Sequence, residues 1–506
     1  LHRRRHSFPT RRSSDLAITK PSYLVEYWSG AAWVALAATD VLDVDGLNDI
    51  GTGSSGLDFG AAAQPSVTLK LERNATTSAL AWSGLKVRIS FGFAASTLLV
   101  RLTGIVDGRQ RALDTNAIVL AVVGFNNSIS KTPVYSPLFY RRLAFTMTTL
   151  TSVEDPTSGV YAAGLGNYIF WQAGGRPLEQ AATYPTALFY YTCQPALMGS
   201  EWSWIAGEDG WAELNRLCKA CGGQVFQQPD GTMTYVNPIM PSASGYAIDS
   251  ADYLNASEDV NRDQYIATAR CAFSARRLQP TQIVYEDTTP RLVEASSSID
   301  ITLTMDRPVY SYVTSAIGGS GLPDADWVAG TVLWVDPLAY PDVIVTYSAR
   351  AAGRVVVHVS NTLSQPIWLS RLCLRGRPIA VVETGIATAG SGVPELEVGD
   401  GAIGVQSRAH AERLCKLYID IYGTIRPARE LTSMGYDPDR LLGEVIQATI
   451  SEWSISAVNH RIVRIAPKGG ATMDMTVAPV DGIPLAGDLF LVGTSYIDAD
   501  TRQMGW

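Results

Sequence analysis

Short runs of alternating apolar and polar residues recur along most of this chain. Val67, Leu69 and Leu71 are each separated by a polar residue, and the stretch from Ile299 to Asp306 has the same period. A period of two places the apolar side chains on one face of a β-strand. A chain of 506 residues that contains many such runs and 44 glycines therefore predicts several β-rich domains.

The grouping of these runs divides the chain. Residues 17–126 form one set of strands, which closes most easily as a small barrel or sandwich. Residues 127–286 form an α+β middle domain, residues 287–370 an immunoglobulin-like β-sandwich insert, and residues 371–506 a helix followed by strands. Ile118 to Phe125 is continuously apolar, which predicts a strand buried on both faces. Residues 127–208 predict loops, short helices and short strands, and residues 238–257 predict another loop.

Two segments carry a helical period. In the first, Trp211, Leu214, Leu217, Cys218 and Cys221 share one face. The residue before this helix is an aspartate that can cap it, and a glycine pair after it supplies a left-handed stop. Two short strands around a Pro-Asp-Gly turn follow, so residues 209–237 predict a helix laid on a hairpin. The second helix is predicted over residues 407–422.

The first sixteen residues differ from the rest in composition. They contain five arginines and two histidines without apolar periodicity. We expect residues 1–16 to be a non-native leader that arose as a sequencing artefact; the alternative is a basic arm that binds nucleic acid. Without it, 35 basic and 47 acidic residues give a net charge of about −12, opposite in sign to a protein that grips DNA phosphates. The sequence contains no run of eighteen apolar residues, which is the length that would predict a membrane span.

The order of several motifs resembles the tail-tip hub, or minor tail, proteins of long-tailed phages. The helix, glycine pair and hairpin of residues 209–237 resemble the middle region of those proteins. The G-x-V/I-D strand of the family is matched by residues 104–107, and the run SNTLSQPIWL followed by LRGRPI at residues 374–379 is similar to a recurring block. Residues 441–445 are similar to an L-G-D-x-V turn, with Glu444 in place of the usual aspartate.

The resemblance implies a structural protein of the virion tail tip, made in the host bacterial cytoplasm. It implies a homotrimer in which two tube-like β-barrels per chain, over residues 17–126 and 371–506, build a ring. The implied partners are the distal tail protein, the tail tube protein, the tape-measure protein, and receptor-binding or fibre proteins. The expected function is to join the tail tube to the host-recognition apparatus, without catalysis and without specific nucleic-acid binding.

Candidate chemical motifs are few. Cys218 and Cys221 have the spacing of a redox or zinc pair, but a second pair is missing and the helix C-terminus disfavours a thiolate, so we expect two buried core cysteines. Residues 51–56 spell GxGxxG but precede a strand, which indicates a loop instead of a dinucleotide site. The acidic cluster Asp43, Asp45, Asn48 and Asp49 leaves calcium binding open.

No catalytic, cofactor-binding or metal-binding residue is therefore predicted. Outside the leader the histidines are His358, His410 and His460, and no nucleophile elbow, HExxH or Walker sequence accompanies them. The aromatic group Trp202, Trp204 and Trp211 could stack on a sugar, although core packing is the favoured interpretation. The alternatives are a polysaccharide- or cell-wall-active protein, such as a tail-associated lysozyme or secreted lyase, and a carbohydrate-binding β-sandwich array.

Overall fold

The chain is mainly β, as the alternating runs predict. The computed structural model describes residues 22–45, 49–50, 65–92, 98–112, 116–135, 164–194, 206–236, 243–259, 265–313, 327–332, 335–337, 342–350, 353–398, 404–424, 427–435, 440, 443–468 and 472–480. Residues 1–16, 51–56 and the tryptophans at 202 and 204 lie outside these ranges.

The described part of the N-terminal region contains an antiparallel sheet, two short helices and two further short strands that pair elsewhere. Its elements are β1 (Ser22–Trp28), β2 (Trp33–Ala35), β3 (Val41–Asp45), β4 (Asp49–Ile50), β5 (Ser66–Glu72), α1 (Ala75–Ala79), β6 (Lys86–Gly92), β7 (Leu99–Ala112), β8 (Ala117–Val123), α2 (Asn126–Ser130) and β9 (Pro133–Tyr135), with a 3₁₀ turn at Ala38–Asp40. Seven strands pair in the order β2-β1-β6-β7-β8-β5-β3, which we call the N-terminal sheet.

Alternation places the core of this sheet on one face. Val67, Leu69 and Leu71 on β5 are buried together with Ile118 and Leu120 on β8. The prediction that β8 is buried on both faces is wrong, because its alternate residues 119, 121 and 123 are half-buried or exposed. Within the described residues the edge strands β2 and β3 do not pair and no sheet closes on itself, so the barrel prediction is not confirmed.

The middle region combines a mixed sheet with two helices. Its elements are α3 (Leu165–Gln172), β10 (Gly175–Pro177), a 3₁₀ turn (Leu178–Gln180), β11 (Phe189–Cys193), β12 (Ala206–Asp209), α4 (Gly210–Cys221), β13 (Gln224–Gln227) and β14 (Met233–Val236). The middle sheet has the order β10-β11-β14-β13, with β13 antiparallel to β14 and the other pairs parallel. The predicted helix and hairpin are present, and α3 is a short helix within residues 127–208, where short helices were predicted.

Local sequence fixes the ends of α4. The Asp209 side chain accepts from the backbone N–H of Ala212 at 2.8 Å, which satisfies one of the free donors of the first turn. Gly222 ends the helix at φ +72°, a left-handed conformation that glycine adopts without steric cost. Leu214 and Leu217 then pack into one core with the strands of the middle sheet.

The remaining elements build two further layers and a second large sheet. They are β15 (Ala243–Ile248), β16 (Asn255–Asp259), β17 (Thr268–Leu278), β18 (Gln282–Asp287), β19 (Arg291–Val293), β20 (Ser298–Thr304), β21 (Val309–Tyr312), β22 (Trp327–Val332), β23 (Val335–Pro337), β24 (Val343–Arg350), β25 (Arg354–Asn361), β26 (Ile367–Gly390), β27 (Glu395–Glu397), α5 (Arg408–Tyr422), β28 (Ala428–Gly435), β29 (Val445–Ile450), a 3₁₀ turn (Ser451–Trp453), β30 (Ile455–Lys468) and β31 (Thr472–Pro479). The predicted loop over residues 238–257 is wrong, because β15 and β16 lie there.

Residues 280–377, which we call the side unit, have a core of their own. The sheet β20-β25-β24 faces strands β19, β21 and β22, which pair with the first part of β26. Ile301, Val357 and Trp327 are among the residues buried between these layers. The side unit is thus two β-layers around one core, although an immunoglobulin-like topology is not confirmed.

The Asn361 side chain holds the turn between β25 and β26. Its Nδ2 donates to the carbonyl oxygens of Val293, Glu294 and Gln365 at 3.3, 3.0 and 2.8 Å, and its Oδ1 accepts from the N–H of Leu363 at 3.0 Å. Asn361 is buried, so these bonds satisfy backbone groups that water cannot reach.

Strand β26 is 24 residues long and serves two cores. Its first part, including Leu369 and Leu372, belongs to the core of the side unit. Its last part pairs with β17, and Ala387 packs with Phe273 and α5 in a separate core.

The C-terminal sheet has the order β15-β29-β30-β31-β28-β16. Strand β4 also pairs with β30, with Arg464 opposite Ile50 and Ile465 opposite Asp49. Backbone hydrogen bonds therefore join a segment of the N-terminal region directly to the C-terminal sheet. Among the described residues no helix has the length and apolar character needed to cross a bilayer.

Candidate functional site at the junction of the N-terminal and middle sheets

Gln227 joins the middle hairpin to the N-terminal sheet. Its Oε1 accepts from the backbone N–H of Phe125 and its Nε2 donates to the carbonyl oxygen of Thr103, both at 2.7 Å. All three residues are buried. Because these two hydrogen bonds join buried groups of both regions, this one side chain fixes where the hairpin sits on the sheet.

The turn of the same hairpin presses against the N-terminal sheet. The Asp230 side chain accepts from the N–H of Thr232 at 2.8 Å, and Gly231 has φ +93°. A Cβ at Gly231 would lie 2.8 Å from the Phe125 ring and 3.0 Å from Thr103. Only glycine allows so close an approach in this conformation.

A cavity of about 160 Å³ lies beside this contact, and we call it the junction cavity. It is lined by residues of four strands of the N-terminal sheet, of the segment leading into β11, and of the hairpin turn: Trp28, Trp33, Lys86, Arg88, Val100, Thr103, Phe125, Pro185, Ala187, Leu188, Phe189, Tyr190, Asp230 and Gly231. Sequence motifs did not predict this cavity, because its lining comes from six separate stretches that only the tertiary fold brings together.

Aromatic rings and cations alternate around the junction cavity. The Lys86 Nζ lies 5.9 Å from the ring centroid of Trp28 and 5.7 Å from that of Phe125. The Arg88 guanidinium lies 4.6 Å from the Trp33 ring centroid and forms an ion pair with Glu26 at 2.7 Å. These distances fall in the range of cation–π attraction.

Lys86 supplies a positive charge to the lining of the junction cavity. Its Nζ donates to the carbonyl oxygen of Ala187 at 3.1 Å. No carboxylate among the described residues pairs with it, and burial lowers the pKa of Lys86 from its ordinary value.

The cysteine pair predicted to be structural lies in the middle core. Cys218 and Cys221 are fully buried, and Cys221 Sγ lies 3.2 Å from the Tyr235 hydroxyl. Burial raises the pKa of Cys218 well above its ordinary value and that of Cys221 to about 11. Both thiols are therefore protonated at neutral pH, a state that neither binds metal nor attacks a disulfide.

The acidic cluster is described only in part. Asp43 forms an exposed ion pair with Lys70 at 3.1 Å. The side chains of Asp45, Asn48 and Asp49 lie outside the described residues, so calcium binding there stays a hypothesis. Among the described residues no group of three or more His, Cys, Asp or Glu side chains is arranged to hold a metal ion.

The three histidines serve different contacts. His358 pairs with Asp300 at 2.8 Å on the exposed face of the side unit, and the His410 ring donates to the carbonyl oxygen of Ala220 at 2.8 Å. His460 Nδ1 donates to the carbonyl oxygen of Val458 at 2.9 Å, which leaves its Nε2 to accept from Arg429 at 2.9 Å. The three rings lie in separate contacts, so they form no joint site.

Trp211 packs into the middle core, in agreement with the favoured interpretation that it is a core residue.

Arg461, on β30 of the C-terminal sheet, is a buried charge that the sequence did not predict. The residue is 4% exposed, and burial lowers its pKa to about 10. Its Nε and Nη1 have no hydrogen-bond partner among the described residues. An arginine in an alternating run gives no sequence signal that distinguishes this position from an exposed one.

The chain is similar in structure to phage tail proteins. The 43 kDa tail protein of prophage MuSo2 from Shewanella oneidensis matches with a TM-score of 0.45 and 10% identity, over 91% of this chain and 99% of that chain. The tail protein from Neisseria meningitidis MC58 matches at 0.41 and 10%, over 91% and 98%. Prophage tail protein gp18 from Listeria monocytogenes EGD-e matches at 0.37 and 10%, over 95% and 98%.

Like the proteins that the sequence motifs resemble, these three are tail proteins. No protein-family model and no curated protein matches the sequence.

Proposed function

We propose that this protein is a structural component of a phage or prophage tail, and that it acts as the tail-tip hub between the tail tube and the host-recognition apparatus. The observation that carries the proposal is the order of its parts. A seven-stranded antiparallel sheet comes first, a helix and hairpin follow, a side unit extends from a long strand pair, and a helix leads into a second large sheet. This is the order that the sequence resemblance implies.

The pairing of β4 with β30 supports a ring-building role. Backbone hydrogen bonds join β4, from the N-terminal region, to the C-terminal sheet, and we propose that the two β regions of one chain act as a single block. In the proposed homotrimer, three such blocks present six sheets around an axis, which matches the sixfold tail tube above and threefold parts below. The two sheets are proposed to be the tube-like barrels of that ring.

The state of the candidate chemical groups also supports a structural role. Cys218, Cys221 and Trp211 are used as core, and Asp209 caps a helix. We propose that the protein is not an enzyme and that its working partners are other proteins: the distal tail protein, the tail tube protein, the tape-measure protein, and receptor-binding or fibre proteins. Its proposed location is the tail tip of the virion.

Immunogold electron microscopy of induced phage particles tests the location. Antibodies against the full chain should label the end of the tail. Label along the whole tube would favour a tube protein, and particles without label would contradict a virion role. Light scattering of the purified chain alone should give about three times the protomer mass of 54.5 kDa, and with the distal tail protein it should give that mass plus the mass of the bound partner. A stable monomer under both conditions would contradict the trimer.

The rival functions predict a different result. A cell-wall-active or polysaccharide-active protein would release soluble fragments from purified peptidoglycan or capsule. A carbohydrate-binding array would be retained on such material without cleaving it. Neither outcome is expected for the proposed hub.

A further inference from the structure

The junction cavity has the dimensions of a binding site for one small ring. An engineered cavity of about 150 Å³ binds benzene, and the junction cavity measures about 160 Å³. Its walls include Trp28, Trp33, Phe125 and Phe189, and the last two rings stack with centroids 5.5 Å apart. A flat apolar body can therefore lie against aromatic faces on more than one side.

Two hydrogen-bonding groups in the junction cavity have unused capacity. The Lys86 ammonium has three N–H donors, and its hydrogen bond within the described part of the chain goes to Ala187. The Thr103 residue is 4% exposed, and its Oγ1 has no hydrogen-bond partner among the described residues. A buried hydroxyl without a partner carries a desolvation cost that a ligand atom would remove.

The charges that line the junction cavity favour a negatively charged ligand. Arg88 is neutralised by Glu26, and the Asp230 carboxylate lies on the exposed hairpin turn, where it accepts from a backbone N–H. The positive charge of Lys86 faces the junction cavity without a paired carboxylate among the described residues. An anion would compensate this charge, whereas a cation would be repelled.

We propose that the junction cavity binds a small carboxylate carried on a flat apolar ring, with Lys86 and Thr103 donating to the carboxylate oxygens and the aromatic walls enclosing the ring. Lys86 supplies the charge-assisted hydrogen bond and Thr103 the neutral one. Because the lining comes from both the N-terminal sheet and the middle region, the ligand would also stabilise the contact between them.

Benzoate is the probe, and its neutral isostere benzamide is the matched comparison. Isothermal titration of the full chain should detect benzoate, and benzamide should bind at least about fivefold more weakly. Lys86→Met should weaken benzoate binding by about tenfold or more, and Thr103→Val by a smaller factor. Lys219→Met, which changes an exposed lysine on α4, should leave the affinity unchanged.

Three results would overturn the proposal: no detectable binding of benzoate at roughly 20 mM, equal affinity for benzoate and benzamide, or an unchanged affinity in Lys86→Met. Circular dichroism checks that each variant is folded. If Lys86→Met does not fold, Thr103→Val and the salt dependence of benzoate binding decide instead. Affinity that neither Thr103→Val nor added salt lowers would contradict a carboxylate site.

Discussion

His410 donates a hydrogen bond from Nε2 to the carbonyl oxygen of Ala220 at 2.8 Å, across 190 residues of sequence. A carbonyl oxygen only accepts, so Nε2 of the buried ring carries a proton. The bond ties the start of α5 to the last turn of α4, where carbonyl groups lack helical partners. Two helices that the sequence analysis treated separately are thereby coupled.

The first prediction concerns acid. Burial lowers the pKa of His410 from 6.5 to about 4, so between these values the unfolded chain binds more protons than the folded one. The contribution of His410 to stability is complete above pH 6.5 and is lost as the pH falls to 4, by roughly 3 kcal/mol. Urea unfolding as a function of pH should show that His410→Phe removes this part of the acid sensitivity. His358→Gln, at an exposed ring, should retain it; equal slopes in all three proteins would contradict the assignment.

The second prediction concerns Gln227. Replacing it with Met keeps most of its volume but leaves the Phe125 N–H and the Thr103 carbonyl oxygen buried without partners. The free energy of unfolding should fall by about 2–4 kcal/mol. Gln282→Met changes an exposed glutamine on β18 and should have little effect. Chemical denaturation of both variants provides the measurement, and similar midpoints for the two would show that the bridge contributes nothing.

The third prediction concerns Gly223, at the end of α4. A Cβ there would lie 2.1 Å from the hydroxyl oxygen and 2.3 Å from ring carbons of Tyr235, whose ring is fully buried. Gly223→Ala should therefore cost about 3 kcal/mol or more, while Gly245→Ala, with open space around it, should be nearly neutral. Adding Tyr235→Phe should not restore stability, because the ring carbons remain. Thermal unfolding measures all three, and a tolerated Gly223→Ala would mean that the ring can move.

The fourth prediction concerns Asn361. In Asn361→Asp, a carboxylate replaces the amide nitrogen that faces three carbonyl oxygens, so attraction becomes repulsion. The side unit should be destabilised by about 2–4 kcal/mol. Asn255→Asp lies at an exposed position on β16 and serves as the control. Hydrogen exchange followed by mass spectrometry should show faster exchange in β25 and the first part of β26 of the variant than in the unmodified protein. Equal exchange rates in these strands would contradict the role of Asn361.

The fifth prediction concerns the side unit as a whole. The Gln279 N–H donates to the carbonyl oxygen of Pro378 at 2.8 Å, so the two ends of the side unit already lie together. Replacing residues 280–377 with a four-residue Gly-Ser linker should leave a cooperatively folded remainder. A larger deletion, of residues 271–386, removes Phe273 from the core beneath α5 and should unfold it. Loss of cooperative unfolding in the smaller deletion would mean that the side unit is not dispensable.

Sequence reasoning succeeded where one local pattern decides the structure. Both long helices begin and end close to their predicted limits, because Asp209 and Ser407 cap them and Gly222 ends the first. The alternating runs identified β5 and β20, since each buries one face.

Prediction from the sequence failed where burial on all sides or tertiary pairing hides the periodic spacing of apolar residues. The position of α3 within residues 127–208 was not predicted, because six of its eight residues are buried and no polar face marks the helix. The junction cavity and the contact between His410 and Ala220 join residues that are far apart in sequence, and no local pattern predicts such neighbours. The predicted limit at residues 370 and 371 falls inside β26, because one continuous run of β residues serves two cores.

The continuity of β26 has a mechanical consequence. A strand that enters one core and leaves through another contains no linker in which the two bodies could swivel, and its partner β17 stiffens the same stretch through eleven paired positions. A force applied to the side unit is therefore transmitted through the hydrogen-bonded backbone of β26 to the layer beneath α5.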